Sequence, residues 1–357
     1  MEKEFYYSKD GTKIMIVAPI GEMESIIDRM NRFKYDHMLV IGNGFDLNLG
    51  LPTSYRNFVE SLIFKKMYVK RIQEKRNQIK ATPSLIDYLY GKKFYERWYD
   101  IEQALLEYVL RRADGSFVNN VEEDKREYEL VCQTLVKYLV SLFKTGDDLK
   151  QSKEMARSSA GKLLKVFSSE RNIIYSFNYT PIRLIINAVI SHYSSDPVRV
   201  HGEIEEETIF KGNIKDNGII LGIETNDLNE IAPNYTFLLK SNNPIYKSTC
   251  IASDLLKTEH VIFFGHSLNE MDFGYFKEYF GVLTSNTDKN RKLTIITKNK
   301  DSRVTLLDNL RKSKISVRDL FAHTNVKIIL TDDIGKKKTD SNNLFKELLK
   351  EIEATKY

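Results

Sequence analysis

The chain has 357 residues, enough for one large domain or two ordinary ones, and 42% of them are hydrophobic. With 20 Tyr and 19 Phe as bulky core material, a disordered or fibrous chain is excluded. Lys and Arg number 54 against 49 Asp and Glu, and a surplus of +5 over this length is no nucleic-acid footprint.

The N-terminal stretch, residues 1–37, reads as an extension with a strand at Lys13–Val17 and a helix from Ile20 to Phe33. It has no apolar core of signal-peptide type. Elsewhere the longest apolar runs are about 5 to 8 residues, against the ~20 that a membrane helix requires. A soluble, cytoplasmic protein without membrane contact is expected. Cys132 and Cys250 lie far apart and no CxxC exists, so neither a disulfide framework nor a cysteine zinc site is expected.

The first strong strand is Met38–Gly42, MLVIG, an unbroken apolar run of the kind buried on both faces. From Ser54 to Phe167 strand signals are almost absent and charged-apolar stretches keep helical spacing, as in Phe58, Leu62 and Ile63 or Ile101, Leu105 and Leu106. Short apolar runs then return at Ile173–Tyr175, Val198–Val200, Ile219–Leu221, Val261–Phe264, Leu293–Ile296 and Val326–Leu330. The last three alternate with helical segments around Tyr275, Val304–Leu310 and Leu344–Ile352. Such alternation predicts an α/β fold, a Rossmann-like parallel sheet with helices on both faces. The organisation that follows is an extension (1–37), an α/β domain (38–335) interrupted by a helical insertion at about 54–167, and a C-terminal helix (336–357). The insertion is expected to cover one mouth of a ligand pocket.

Polar clusters stand at the ends of several of these strands. Gly42, Asn43, Gly44, Phe45 and Asp46 follow the first, and free backbone N–H groups at such a turn can hold phosphate. A side chain at Gly44 would then fill the space a pyrophosphate needs. The third glycine of the dinucleotide fingerprint is missing, since Leu47 occupies its place, and no GKS or GKT follows. Alone, the stretch is equally a plain strand-to-helix turn with Asp46 as N-cap. Asn178, just past a strand, can orient a sugar hydroxyl or a water, or simply make a turn. His201, at a strand end beside Gly202, has the chemistry of a general base near neutral pH, and equally that of a hydrogen-bonded structural residue. In VIFFGHSLNEMDFGYF, Gly265 and Ser267 follow a very apolar strand; Ser267 can cap the next helix or bond a phosphate, and Asp272 lies in that helix. His266 reads as a turn residue, because no second ligand stands at metal spacing, and no GxSxG elbow supports a hydrolase serine. A nuclease would need clustered carboxylates, and Glu203 with Glu205–Glu207 alternate like a solvated segment.

Four of these segments line up in order between Gly42 and Phe276: GNGFDLNLGLPTSYRNF, WYDIE (Trp98–Glu102), SFNYT and GHSLNEMDFGYF. Together they resemble the AbiH family of bacterial abortive-infection proteins, which in turn is similar to a divergent branch of the sirtuin-like NAD-binding fold. Gly42–Asn43–Gly44 with Gly50–Leu51–Pro52, then Asn178, then His201–Gly202, then Gly265 with Ser267 match that fold's order of motifs. Two features depart from it. Thr180 stands where the sirtuin pattern has an Asp, and the zinc cysteines of the deacetylases are absent. The resemblance therefore implies an antiphage effector that hydrolyses NAD at the nicotinamide–ribose bond, with NAD as substrate and no metal. In this reading Asn178 and His201 are catalytic, and Gly42, Asn43, Gly44, Phe45, Asp46, Gly265, Ser267 and Asp272 hold the nucleotide. Glu102 faces either that pocket or a solvated or salt-bridged surface. A phage-derived trigger and a homo-oligomer are further expected partners. The alternative is a nucleotide-binding sensor that acts through a partner without turnover.

Overall fold

A computed structural model describes residues 2–7, 13–18, 33–74, 83–92, 101–115, 120–143, 148–190, 193, 195–205, 208–209, 218–224, 233–247, 249–285 and 291–355. Strands β1 (Glu2–Tyr7) and β2 (Lys13–Ala18) pair antiparallel. The helix expected from Ile20 to Phe33 falls almost wholly outside the described residues.

Six strands make the main sheet: β3 (Tyr35–Ile41), β4 (Asn172–Ser176), β5 (Val198–Arg199), β6 (Thr258–Phe264), β7 (Lys292–Thr297) and β8 (Asn325–Leu330). All pair in parallel, in the spatial order β5-β4-β3-β6-β7-β8. Counted from β3 this is 3-2-1-4-5-6, the Rossmann order. The direction of winding reverses between β3 and β6, so the switch point lies where the turns after Ile41 and Phe264 meet. The apolar run Ile219–Leu221 does not become a strand. Gly202 (φ 70°) reverses the chain, one antiparallel bridge joins it to Ile219, and Ile219, Leu221 and Ile223 then leave for another core.

Each strand serves two cores because its side chains alternate. Met38 and Val40 face a core built with α10 (Ile251–Leu256), α12 (Lys277–Ser285), α13 (Lys300–Lys312) and α14 (Val317–His323). Leu39 and Ile41 face the opposite core, with α1 (Asn43–Asn48), α7 (Asp148–Arg157), α8 (Ser159–Val166), α9 (Ile182–Val189) and the C-terminal α15 (Asp340–Ala354). Between β3 and β4 no described residue beyond Ser54 is in a strand, and most are helical. The helices α2 (Tyr55–Glu60), α3 (Leu62–Glu74), α4 (Leu85–Lys92), α5 (Ile101–Ala113) and α6 (Val121–Phe143) enclose a third core. That core also takes Ile204, Ile219, Tyr235, Leu239 and Met271, so the helical layer is packed directly on the loops that leave β5 and β6. Leu62, expected beside Phe58 and Ile63 on the buried face, is 74% exposed. Ser61 is extended (ψ 153°) and ends α2, which resets the helical phase before α3 begins.

The two turns at the switch point touch backbone to backbone. Gly42 N–H donates to Phe264 O (3.0 Å), Gly44 N–H to Gly265 O (3.0 Å), and Gly265 N–H to Ile296 O (2.9 Å). A Cβ on Gly44 would stand 2.7 Å from Gly265 Cα, and one on Gly265 would stand 2.3 Å from Phe45 N. The glycines at 42, 44 and 265 are thus required by the close approach of two turns, and a side chain at Gly44 would strike the neighbouring turn itself. Asp46 does not cap α1. The N-cap is Gly42, without a side-chain bond, and Asp46 lies within the helix with its carboxylate turned inward.

Gly265→Ala should therefore lower the unfolding free energy by more than ~2 kcal/mol, combining positive-φ strain with overpacking. Gly50 and Gly335 also have positive φ, but a Cβ there meets nothing, so alanine at either should cost only about 1 kcal/mol. Urea unfolding midpoints of the three variants check this, and equal losses would show that turn-to-turn contact is not what position 265 requires.

Candidate functional site

Two buried polar clusters sit at the carboxyl ends of the strands. The first joins the turn after β3 to the turn after β4. Asn178 donates from Nδ2 to Gly42 O (3.1 Å) and to Asp46 Oδ1 (2.8 Å), and Thr180 Oγ1 donates to Asp46 Oδ2 (2.7 Å). Both amide hydrogens of Asn178 are spent on this clamp. Burial pushes the Asp46 carboxyl up to about 7, against the opposing pull of Thr180 and Asn178.

The second cluster is a chain of charges. Lys240 Nζ donates to Glu102 Oε2 (2.8 Å) and Asp272 Oδ1 (3.1 Å) and stands 3.3 Å from His201 Nε2. His201 Nε2 is itself 3.2 Å from Asp272 Oδ1, and Tyr179 OH donates to Glu102 Oε1 (2.8 Å). Lys240 is 1% exposed, His201 2% and Glu102 6%. Taking such charges out of water is tolerable only because each has an opposite partner. Burial pulls the Lys240 ammonium down, but Asp272 and Glu102 outweigh it and hold its pKa above the ordinary value. Burial pushes Asp272 up, yet Lys240 and His201 hold it far below the usual carboxylate range. His201 is lowered by burial and then by Lys240, with Asp272 offsetting part of the effect. The result is a neutral imidazole between a fixed cation and a fixed anion. Its Nε2 can accept from Lys240 in one tautomer or donate to Asp272 in the other.

Strand alternation explains why these are two clusters. Phe177 and Tyr179 point towards His201, with ring centroids at 5.2 and 6.4 Å, while Asn178 between them points towards Asp46. Asn178 and His201 thus share one end of the sheet with the Gly42–Gly44 turn but lie in different networks. Of the amides assigned to phosphate, Gly42, Gly44 and Phe45 donate to main-chain carbonyls, the last to Gly42 O. The Phe45 ring is core, edge-on to Phe264 at 5.2 Å, and Asn43 Oδ1 accepts from Thr53 Oγ1. Ser267 is exposed and caps nothing. The helix α11 (Glu270–Phe273) is capped by Asn269, whose side chain accepts from Asp272 N–H. His266 is the turn residue that its sequence context predicts: Nδ1 accepts from the N–H of Leu268, which sits at φ 50°, and burial lowers its pKa to about 4. Glu203 is no metal ligand in waiting, since Oε2 accepts from Ile182 N–H at the start of α9 and Oε1 pairs with Arg199. Among the described residues no group of three His, Cys, Asp or Glu is placed to hold a metal ion.

Lys240 escaped the sequence reading. Its one signal is position: it ends the run Tyr235–Leu239, YTFLL, where a lysine flush against apolar residues needs a buried anion. Glu102 takes the salt-bridged of its two expected roles, but inside the protein. The rest of WYDIE before Ile101 lies outside the described residues.

The Rossmann strand order, with an acid–base network beside its switch point, defines an α/β protein of Rossmann-like architecture. The family model described as "Bacteriophage abortive infection AbiH" matches residues 38–296, from β3 to β7, and so contains both clusters. The chain belongs to the AbiH family, and its biological role is in abortive infection. The curated proteins include no match to it. No helix among the described residues is long and apolar enough to cross a membrane.

The Asp46 clamp makes a signed prediction about stability. A carboxyl whose folded pKa is near 7, against an ordinary 3.8, binds its proton more tightly in the folded state. Its stabilising effect is complete below pH 4 and is lost as pH rises to 7, a swing on the order of 4 kcal/mol. Asp46→Asn should therefore match wild type in melting temperature near pH 4 and exceed it above pH 7. Parallel melting curves at both pH values would refute the raised pKa.

Proposed function

We propose that this protein acts in abortive infection by binding NAD at the carboxyl ends of its strands, in a sirtuin-like manner, and hydrolysing the nicotinamide–ribose bond. The observation that carries the reading is the neutral His201 imidazole held between Lys240 and Asp272 beside the switch point. Strongly perturbed groups gathered at the carboxyl ends of such strands mark a candidate functional site. Family membership supplies the antiphage setting.

The chemistry asks little of the protein. Nicotinamide leaves as a neutral molecule from a cationic pyridinium, and the C1′ carbon takes on oxocarbenium character. Water forms the new C–O bond as the C–N bond breaks, and its proton passes to His201 Nε2, where Asp272 stabilises the imidazolium. Lys240 and Glu102 hold Asp272 and His201 in place. Asn178 acts at one remove by fixing the turn at Gly42. With the amides of Gly42, Gly44 and Phe45 engaged, the exposed Ser267 is the phosphate contact this reading favours.

Purified protein incubated with NAD should release nicotinamide, and His201→Ala should reduce turnover by about a hundredfold or more. Because the His201 pKa lies below 6.5, kcat/KM should be flat above neutrality and fall only below that ordinary value. Asn178→Ala should instead act largely through stability, at about 1–3 kcal/mol, by removing the donor to Asp46 Oδ1 and one of the two donors to Gly42 O. Full activity in His201→Ala would refute the assignment. The burial of both Asn178 and His201 favours the second reading, a nucleotide-binding sensor without turnover. Tight NAD binding with no nicotinamide released, even beside phage-infected lysate, would establish it.

A further inference from the structure

Helix α3 presents two faces of opposite character. Inward, Phe64 is fully buried, and Arg71 reaches three carboxylates, Glu74, Glu123 and Glu127, at 3.1–3.3 Å. Outward, Leu62 is 74% exposed, Val69 51% and Ile72 43%, three of the seven large apolar side chains exposed among the described residues. Leu62 and Val69 lie one above the other at i, i+7 spacing, with Lys65 on one flank and Lys66 and Lys70 on the other. They line a shallow hollow of about 310 Å³. None of the three lysines has an ion-pair partner among the described residues, although the arginine on the same helix has three.

We propose that this face is a docking site for an acidic amphipathic helix of another protein, whose apolar stripe would cover Leu62 and Val69 while its carboxylates pair with Lys65, Lys66 and Lys70. Charge complementarity selects that occupant. A second copy of the same face would set lysines against lysines. A nucleic acid would leave the aliphatic centre uncovered. A lipid surface is matched by basic helices with broad apolar faces carrying aromatic rings, and this spine is three aliphatic side chains wide. The site is independent of the chemistry at His201. It nevertheless sits on the helical layer whose core includes Tyr235, Leu238 and Leu239, the residues that lead into Lys240.

The test uses a fluorescein-labelled amphipathic helical peptide of Leu and Glu, and a counterpart with Lys replacing every Glu, titrated with the full-length protein by anisotropy. The Glu peptide should bind at least about tenfold more tightly than the Lys peptide. Its affinity should fall with added salt as the screening length shrinks from about 10 Å at 0.1 M to about 3 Å at 1 M. Lys65→Glu/Lys66→Glu/Lys70→Glu and Leu62→Asp/Val69→Asp should each weaken it about tenfold or more while keeping the wild-type melting temperature, and Lys→Gln changes replace the charge reversals if folding suffers. Several results would overturn the proposal: no binding of the Glu peptide, equal binding of both peptides, or undiminished binding by the variants. Preferential capture of wild type by phosphatidylserine vesicles would do so too, as would self-association abolished by Leu62→Asp/Val69→Asp.

Discussion

A single ammonium group ties the molecule together. Lys240 Nζ is buried at the point where the helical layer, the loops after β5 and the helix after β6 converge, and its partners Glu102 and Asp272 come one from each side. Removing one member of a buried ion network leaves the others as uncompensated charges, at about 3–5 kcal/mol. Replacing the whole set with apolar residues is, by contrast, often harmless in other proteins. A network of this kind is therefore an inefficient way to achieve stability alone. Its place at the end of a Rossmann sheet, with the His201 imidazole inside it, is what the proposed function rests on.

The same end of the sheet shows a second economy. The turns after β3 and β6 are pressed together where strand order reverses, so that the crevice common to such folds is closed at its floor by backbone contacts. The glycines serve this contact, and the clamp of Asn178 and Thr180 on Asp46 fastens the first turn from the other side. The ends of these strands therefore present side chains rather than a row of free amides.

The alternation of apolar strand runs with helical spacing made most of the sheet legible in the sequence, because buried parallel strands are apolar on both faces. Ile219–Leu221 misled for the same reason: three apolar residues fit a strand or a segment packed into another core equally well, and Gly202 decided between them. The polar residues at strand ends were legible as a set and not in their roles. Asn178 and His201 stand at comparable places in sequence, yet a one-residue alternation past β4 sends Asn178 one way while Phe177 and Tyr179 turn towards His201. Lys240 and Glu102 were illegible as partners since nothing local links residues so far apart, and only the fold brings the lysine and the glutamate within ion-pair distance. Leu62 shows the limit of periodicity, since one extended serine between two helices shifted the whole phase.

The convergence on Lys240 also orders the assembly of the chain in time. Glu102 lies before β4, Lys240 after β5 and Asp272 after β6, so the three charges reach one another only when the strands on both sides of β3 are in place. Contacts this distant in sequence are slow to form and late to be rewarded. A chain with any one of these segments out of place would leave the remaining charges of the network without their partners, at about 3–5 kcal/mol.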